Sequence, residues 1–291
     1  MRIIFMGTPQ FAVPCLEALV TAGHEIPAVL CQPDKPQGRK MQLRPPPVKI
    51  CALSHELTVL QPEKLRNNEA LLAQLRAMRP DLAVVVAYGK ILRQEVLDIP
   101  THGCINVHAS LLPKYRGAAP IQWAVLNGET ETGITTMQMD AGIDTGDMLL
   151  QDQCSISEDM TAGKLHDDLS LLGAKTLLRT LDLLEQGKLE PQKQDNRKST
   201  YAPMLTRELS PIDFRKTAGE VHNHIRGLSP WPGATMDFEG VLLKVHKARV
   251  ADSADSPLHI LCGDGNYIEL LTVQAPGKKT MPAGEFLRGR R

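Results

Sequence analysis

Residues 81–87 read Asp-Leu-Ala-Val-Val-Val-Ala, the most continuous apolar run in the chain. A strand with one face in water would alternate. An unbroken run of this length is the pattern of a central parallel strand covered on both faces. The flanking sequence agrees with that reading. Residues 2–6 form a short apolar run, followed by Gly7-Thr8-Pro9 and helical spacing over 11–21 that Gly23 closes. Residues 26–31 are the next strand, 57–60 a brief third, and 71–78 carry helical spacing before Pro80. Strands alternating with helices predict a Rossmann-like α/β domain with a mostly parallel sheet. Ligands of such sheets sit at the carboxyl ends of the strands, where Tyr88-Gly89 falls. The turn at Gly7 lacks Gly-x-Gly-x-x-Gly, so dinucleotide chemistry does not come with the fold.

A second stretch, residues 103–117, reads Gly-Cys-Ile-Asn-Val-His-Ala-Ser-Leu-Leu-Pro-Lys-Tyr-Arg-Gly. It begins as a strand and breaks at Leu112-Pro113 into a basic loop. Asn106 and His108 are two apart and therefore share one face of the strand. A hydrogen-bond donor for an oxyanion beside a proton acceptor is what acyl transfer requires. Two satisfied core polar residues would fit the same spacing, and the pair alone does not choose between them.

Residues 33–49 hold Lys35, Arg39, Lys40, Arg44 and Lys49 against Asp34 alone. Proline and glycine there exclude a continuous helix or strand, so a long exposed loop is expected, either merely solvated or a phosphate-binding arm. Further on, 118–126 is helical, and strands over 132–139 and 148–156 enclose Asp140-Ala-Gly-Ile-Asp144-Thr-Gly-Asp147. That turn lacks the ligand spacing of a calcium loop, and solvated acids in a tight turn are the competing reading. Leu165, Leu169, Leu172, Leu177, Leu181 and Leu184 mark an amphipathic helix that Gly187 ends. Residues 189–205 are polar and aperiodic and read as a linker between a first domain at 1–188 and a second at 206–291. The second carries a short helix near 217–226, then short strands around Glu239-Gly240 and Gly263-Asp264-Gly265, the pattern of a small OB-like β-barrel.

The formal net charge is +0, so a polyanion would have to be met by a local patch rather than a global field. The six cysteines are scattered with no Cys-x-x-Cys and no Cys/His metal spacing, and they read as buried hydrophobes in a reducing cytosol. No metal site is therefore expected. No apolar run approaches the ~18 residues of a membrane span, and a strand at the start leaves no room for a signal peptide.

Together, Asn106-Val-His108, Ser110-Leu-Leu-Pro113, Arg116-Gly-Ala-Ala-Pro120 and residues 140–147 resemble the 10-formyltetrahydrofolate-dependent formyltransferases. The likeness extends to Phe5-Met-Gly-Thr-Pro9, Val84-Val-Val-Ala-Tyr-Gly89, Pro230-Trp-Pro-Gly233 and Gly277-Lys-Lys279. The basic loop and the barrel point to the branch that acts on tRNA. The resemblance implies that the α-amine of methionine on initiator tRNA attacks the formyl carbon of 10-formyltetrahydrofolate. It gives Asn106 the oxyanion, His108 the developing charge or the proton, and Asp144 the orientation of His108 or a water. It lays the folate along Ser110, Leu111, Leu112 and Pro113, with the pterin near Tyr88 and Asp140. It sends Arg39, Lys40 and Arg44 to the acceptor stem and Lys278 and Lys279 to the inside of the tRNA elbow. Arg116 and Gly117 read as the turn that launches the next helix. A bacterial cytoplasmic monomer is expected. Relatives that formylate a small amine or hydrolyse formylfolate share the first domain, but have no use for both basic loop and barrel. A non-catalytic RNA-binding protein is hard to reconcile with an intact Asn106, His108 and Asp144.

Overall fold

A computed structural model describes residues 1–37, 41–253 and 258–289. In chain order its elements are β1 (Arg2–Gly7), α1 (Val13–Thr21), β2 (Glu25–Leu30), β3 (Lys35–Gln37), β4 (Gln42–Arg44), α2 (Pro47–Ser54), β5 (Val59–Leu60), α3 (Glu69–Ala77), β6 (Leu82–Val86), α4 (Gln94–Leu97), β7 (Cys104–His108) and β8 (Arg116–Gly117). There follow α5 (Pro120–Leu126), β9 (Glu131–Gln138), β10 (Met148–Ser155), α6 (Ala162–Glu185), β11 (Tyr201–Ala202), α7 (Ala218–Gly227), β12 (Ala234–Phe238), β13 (Val241–Ala251), β14 (His259–Leu261), β15 (Tyr267–Gln274), β16 (Met281–Pro282) and α8 (Ala283–Arg288). Two compact units result. One comprises 1–116, 133–154 and 167–201; the other comprises 117–132, 155–166 and 202–291.

The first unit is built on a seven-stranded sheet of order β10-β9-β7-β6-β1-β2-β5. β6 is buried at every position and pairs in parallel with both β1 and β7, as its unbroken apolar run requires. β9 lies antiparallel to β7. One face of the sheet gathers Ile4, Met6, Ala28, Leu30, Val85 and Cys104 into a core. Each of the larger side chains among them, taken fully out of water, contributes about 1.5–3 kcal/mol. The opposite face carries α6, where a Cβ on Gly173 would stand 3.1 Å from Val107 Cγ1. Val107 therefore points at the helix, and period-two alternation turns Asn106 and His108 to the other face, in line with Cys104.

The basic loop differs from its expectation. Lys35–Gln37 and Gln42–Arg44 pair as an antiparallel hairpin, with Lys35 opposite Arg44. Pro36 is tolerated because a two-stranded ribbon is all edge, where a missing N–H need not break a ladder. Lys49 does not belong to the arm. It sits in α2, and its ammonium donates to both oxygens of Asp34 at 2.9 Å and to Gln61 at 2.7 Å, tying down the base of the hairpin.

The second unit holds an antiparallel sheet of order β12-β13-β15-β14, with β16 added to β15. β12 and β13 meet at Glu239-Gly240, both at positive φ, as a tight hairpin turn demands. Val221 and Ile225 of α7 and Phe286 of α8 pack with Leu243, Ile268 and Val273 into its core. A capping box starts α7: Thr217 accepts from the Glu220 amide, and Glu220 accepts from that of Thr217. No helix among the described residues is long and apolar enough to cross a membrane.

Candidate active site

The site is assembled on the last residues of β7. His108 is only 6% exposed and lies opposite Thr135 of β9, and Asn106 lies opposite Met137. The chain leaves β9, turns through 139–147 and returns as β10. This turn brings Asp144 onto the pair. Asn106 Nδ2 donates to Asp144 Oδ1 at 3.4 Å, and His108 Nδ1 stands 3.7 Å from Asp144 Oδ2. The other ring nitrogen, Nε2, lies 2.9 Å from the Tyr115 carbonyl. A carbonyl only accepts, so Nε2 carries a proton and Nδ1 is the position that gains or loses one. A proton arriving at Nδ1 meets the Asp144 carboxylate. The Asn106 amide has a second N–H beyond the one aimed at Asp144, as an oxyanion donor needs.

Local sequence explains the turn. Asp144 adopts φ +52°, a left-handed conformation that Asn and Asp enter more readily than other side chains. Asp140 is spent inside the turn, accepting from the Gly142 amide at 3.0 Å and the Thr145 hydroxyl at 2.7 Å. Gly146 passes so close to β9 that a Cβ would sit 1.7 Å from the Gln138 carbonyl oxygen.

The segment after His108 is fixed through its backbone. Thr135 donates to Ser110 O at 2.6 Å and accepts from the Leu112 amide at 3.1 Å. Gln151 Nε2 donates to Leu112 O at 3.0 Å and to the Thr135 hydroxyl at 2.8 Å. The Ser110 hydroxyl is turned inward onto Lys114 O, Leu112 is buried, and Leu111 and Pro113 are half-buried. Thr135 and Gln151 carry no motif.

Tyr88 sits at the carboxyl end of β6, but its ring lies in the sheet core at 1% exposure, beside Leu30 and Leu92. Burial pushes its hydroxyl up, and that hydroxyl has no hydrogen-bond partner among the described residues. The Tyr88 carbonyl, not the ring, is engaged from the cleft side, accepting from Thr8 and Gln32. A cleft of about 350 Å³ opens there, where the strand order reverses between β1 and β6, lined by Thr8, Gln10, Gln32, Lys35, Arg44 and Gly89.

Of the expected tRNA contacts, Arg39 and Lys40 lie outside the described residues. Arg44 is exposed at the end of β4, and Lys278 and Lys279 are exposed in the turn after β15. The fold also joins residues that sequence spacing left apart. Cys51 and His55 both reach Glu17 across α1 and α2, at 3.2 and 3.0 Å, with the three ligand atoms within 4.8 Å of one another. Burial pushes the Cys51 thiol up to about 12, so it is a neutral donor, and its hydrogen bond holds Glu17 below the usual carboxylate range. Two donors on one carboxylate make this a staple between helices.

The model for the family described as formyl transferase matches residues 1–181, and that for the formyl transferase C-terminal domain matches 204–291. The chain belongs to the formyl transferase family. This formyltransferase is 51% identical to the methionyl-tRNA formyltransferase of Acidobacterium capsulatum, over 99% of this chain and 96% of that protein. It is 50% identical to the methionyl-tRNA formyltransferase of Geobacter sulfurreducens, over 99% and 94% of the two chains. Its fold is similar to that of a solved N-formyltransferase from Helicobacter canadensis, crystallised with folinic acid and dTDP-3-aminofucose. That likeness has a TM-score of 0.72 at 21% identity, over 94% of this chain and 98% of the other.

Proposed function

We propose that this formyltransferase moves the formyl group of 10-formyltetrahydrofolate to the α-amine of methionine on initiator tRNA. The observation that carries the reading is the 51% identity to a methionyl-tRNA formyltransferase along 99% of the chain, barrel region included. The grouping of Asn106, His108 and Asp144 supports the mechanism.

The amine nitrogen is the nucleophile and adds to the formyl carbon, turning its oxygen into a tetrahedral oxyanion. Asn106 donates to that oxygen. The proton lost by the amine passes to His108 Nδ1, directly or through a water on Asp144. The resulting imidazolium lies beside two negative charges, the oxyanion and Asp144. The bond from carbon to N10 then breaks, and the His108 imidazolium returns its proton to N10, directly or through the same water, as the carbonyl re-forms. Atoms and charges balance with no covalent enzyme intermediate.

In this reading the folate lies along Ser110, Leu111, Leu112 and Pro113, whose backbone Thr135 and Gln151 hold in place, with the pterin toward the Tyr88 backbone and the Asp140 turn. Arg39, Lys40 and Arg44 take the acceptor stem, and Lys278 and Lys279 take phosphates inside the elbow, contacts that position the tRNA rather than read it. The enzyme works as a monomer in a bacterial cytoplasm.

Steady-state kinetics with both substrates varied test the placement of the arm. Arg39→Ala raises KM for methionyl-tRNA about tenfold, the loss of one charge-assisted hydrogen bond, and leaves KM for the folate within about twofold. An equal rise in both would place the loop at the folate instead.

A further inference from the structure

Residues 189–205 carry no motif and no periodicity, and Arg116 looks like part of a turn. The fold joins the two. Arg116 is 9% exposed. Its Nε and Nη2 donate to Gln194 Oε1 at 2.9 and 2.7 Å, and Nη2 also donates to Asn196 Oδ1 at 2.8 Å. The other end of the same amide, Gln194 Nε2, donates to Asp144 O at 2.9 Å and to Gly146 O at 2.8 Å.

The orientation of that amide is dictated by chemistry. A guanidinium only donates and a backbone carbonyl only accepts, so the oxygen of Gln194 must face Arg116 and its NH₂ must face the turn. Both N–H groups are used, one on Asp144 and one on Gly146, the residue of the tightest backbone approach in the turn. The buried cation polarises the amide and strengthens the two outgoing bonds.

The neighbouring residue completes the picture. Tyr115 O accepts a hydrogen bond from His108 Nε2–H. The Tyr115 amide donates to the Thr200 hydroxyl at 2.8 Å, and the Arg116 amide to Thr200 O at 2.9 Å. Tyr115-Arg116 is thus a common reference: its backbone sets the His108 ring, and its guanidinium, through Gln194, sets the backbone of Asp144.

We infer that Gln194 is a positioning residue for Asp144, anchored by Arg116, so that the segment between the two family domains takes part in building the catalytic site. The inference rests on the roles proposed above for His108 and Asp144, and it adds a part they do not contain. A scaffold amide that held only the fold would be indifferent to Asp144 chemistry. One that positions Asp144 must act through it.

Gln194→Glu separates the two roles. The carboxylate keeps Arg116 paired and turns a neutral contact into an ion pair, but removes both N–H donors and sets an oxygen against two carbonyls. The melting temperature therefore falls by only a few degrees, the ion pair with Arg116 offsetting part of the two lost bonds, while amide hydrogen exchange over residues 140–147 accelerates at least about tenfold. In steady state kcat falls about 10–100-fold, as expected of a displacement near 1 Å, while KM for methionyl-tRNA moves less than about twofold. Placed in an Asp144→Asn background, the same substitution costs less than about threefold, because its route to the chemistry is already cut.

Unchanged exchange over 140–147, or equal kcat losses in the two backgrounds, overturns the inference. Failure of the wild type to formylate methionyl-tRNA would be a different failure. It would remove the proposed acceptor, while the exchange measurement would still decide whether Gln194 holds the Asp144 turn.

Discussion

His108→Ala removes formyl transfer and leaves a folded protein. A positioned acid-base group is worth about 10²–10⁴-fold, and here the same ring also balances the oxyanion, so kcat/KM falls by at least about 10³-fold. The structural cost is smaller. The ring is 6% exposed, and among the described residues it bonds the Tyr115 carbonyl and lies 3.7 Å from Asp144. Truncation removes the hydrogen bond to the Tyr115 carbonyl and opens a small cavity, about 2–4 kcal/mol together, within the ~5–15 kcal/mol by which ordinary domains are stable. Single-turnover transfer and a circular-dichroism melt on the same preparation separate the two effects. Transfer at a wild-type rate would remove His108 from the mechanism.

Gly146→Ala has a comparable effect from a residue that bears no chemistry. Its Cβ would meet the Gln138 carbonyl oxygen at 1.7 Å and the carbonyl carbon at 2.9 Å. Both are backbone atoms of β9, so no side-chain rotation relieves the contact. The Gln138 amide also donates to the Asp147 carbonyl at 2.9 Å, which pins the turn where it must move. The turn has to retreat by more than about 1 Å and takes Asp144 with it, enough for a loss on the order of 100-fold in kcat. The sheet and the His108–Tyr115 contact lie outside the displaced turn, so the protein stays folded by circular dichroism, while folate affinity, read by fluorescence titration, weakens along with kcat because the pterin lies toward the same turn. A wild-type kcat would mean that the Asp144 turn tolerates displacement and is not a precise part of the site.

How much of this is legible in the sequence depends on range. β6 and its neighbours are readable because burial on both faces leaves an unbroken apolar run. Asn106 and His108 are readable as partners because a spacing of two fixes their common face. Asp144 enters through the likeness of its turn to a known family, since nothing local ties it to β7. The arm's hairpin escapes because Pro36 and Pro45 mask short strands that need only a few ladder bonds. Lys49 reads as one more free cation because its pairing with Asp34 exists only after α2 folds back. Tyr88 reads as a neighbour of the pterin because it ends a strand, whereas which way its ring turns is decided by the core beneath. Arg116 and Gln194 are seventy-eight positions apart, with no periodicity linking them. Their relation appears only when the chain after α6 returns to the carboxyl end of β7.

The central claim concerns the acceptor. The direct measurement offers 10-formyltetrahydrofolate to the protein with three amines in parallel: methionyl initiator tRNA, glycinamide ribonucleotide and a nucleotide-linked amino sugar. Formylated methionine released from the tRNA, with the two small amines untouched at equal concentration, is the predicted result. Formylation of a small amine with methionyl-tRNA left unmodified would contradict the account, however intact the arrangement of Asn106, His108 and Asp144.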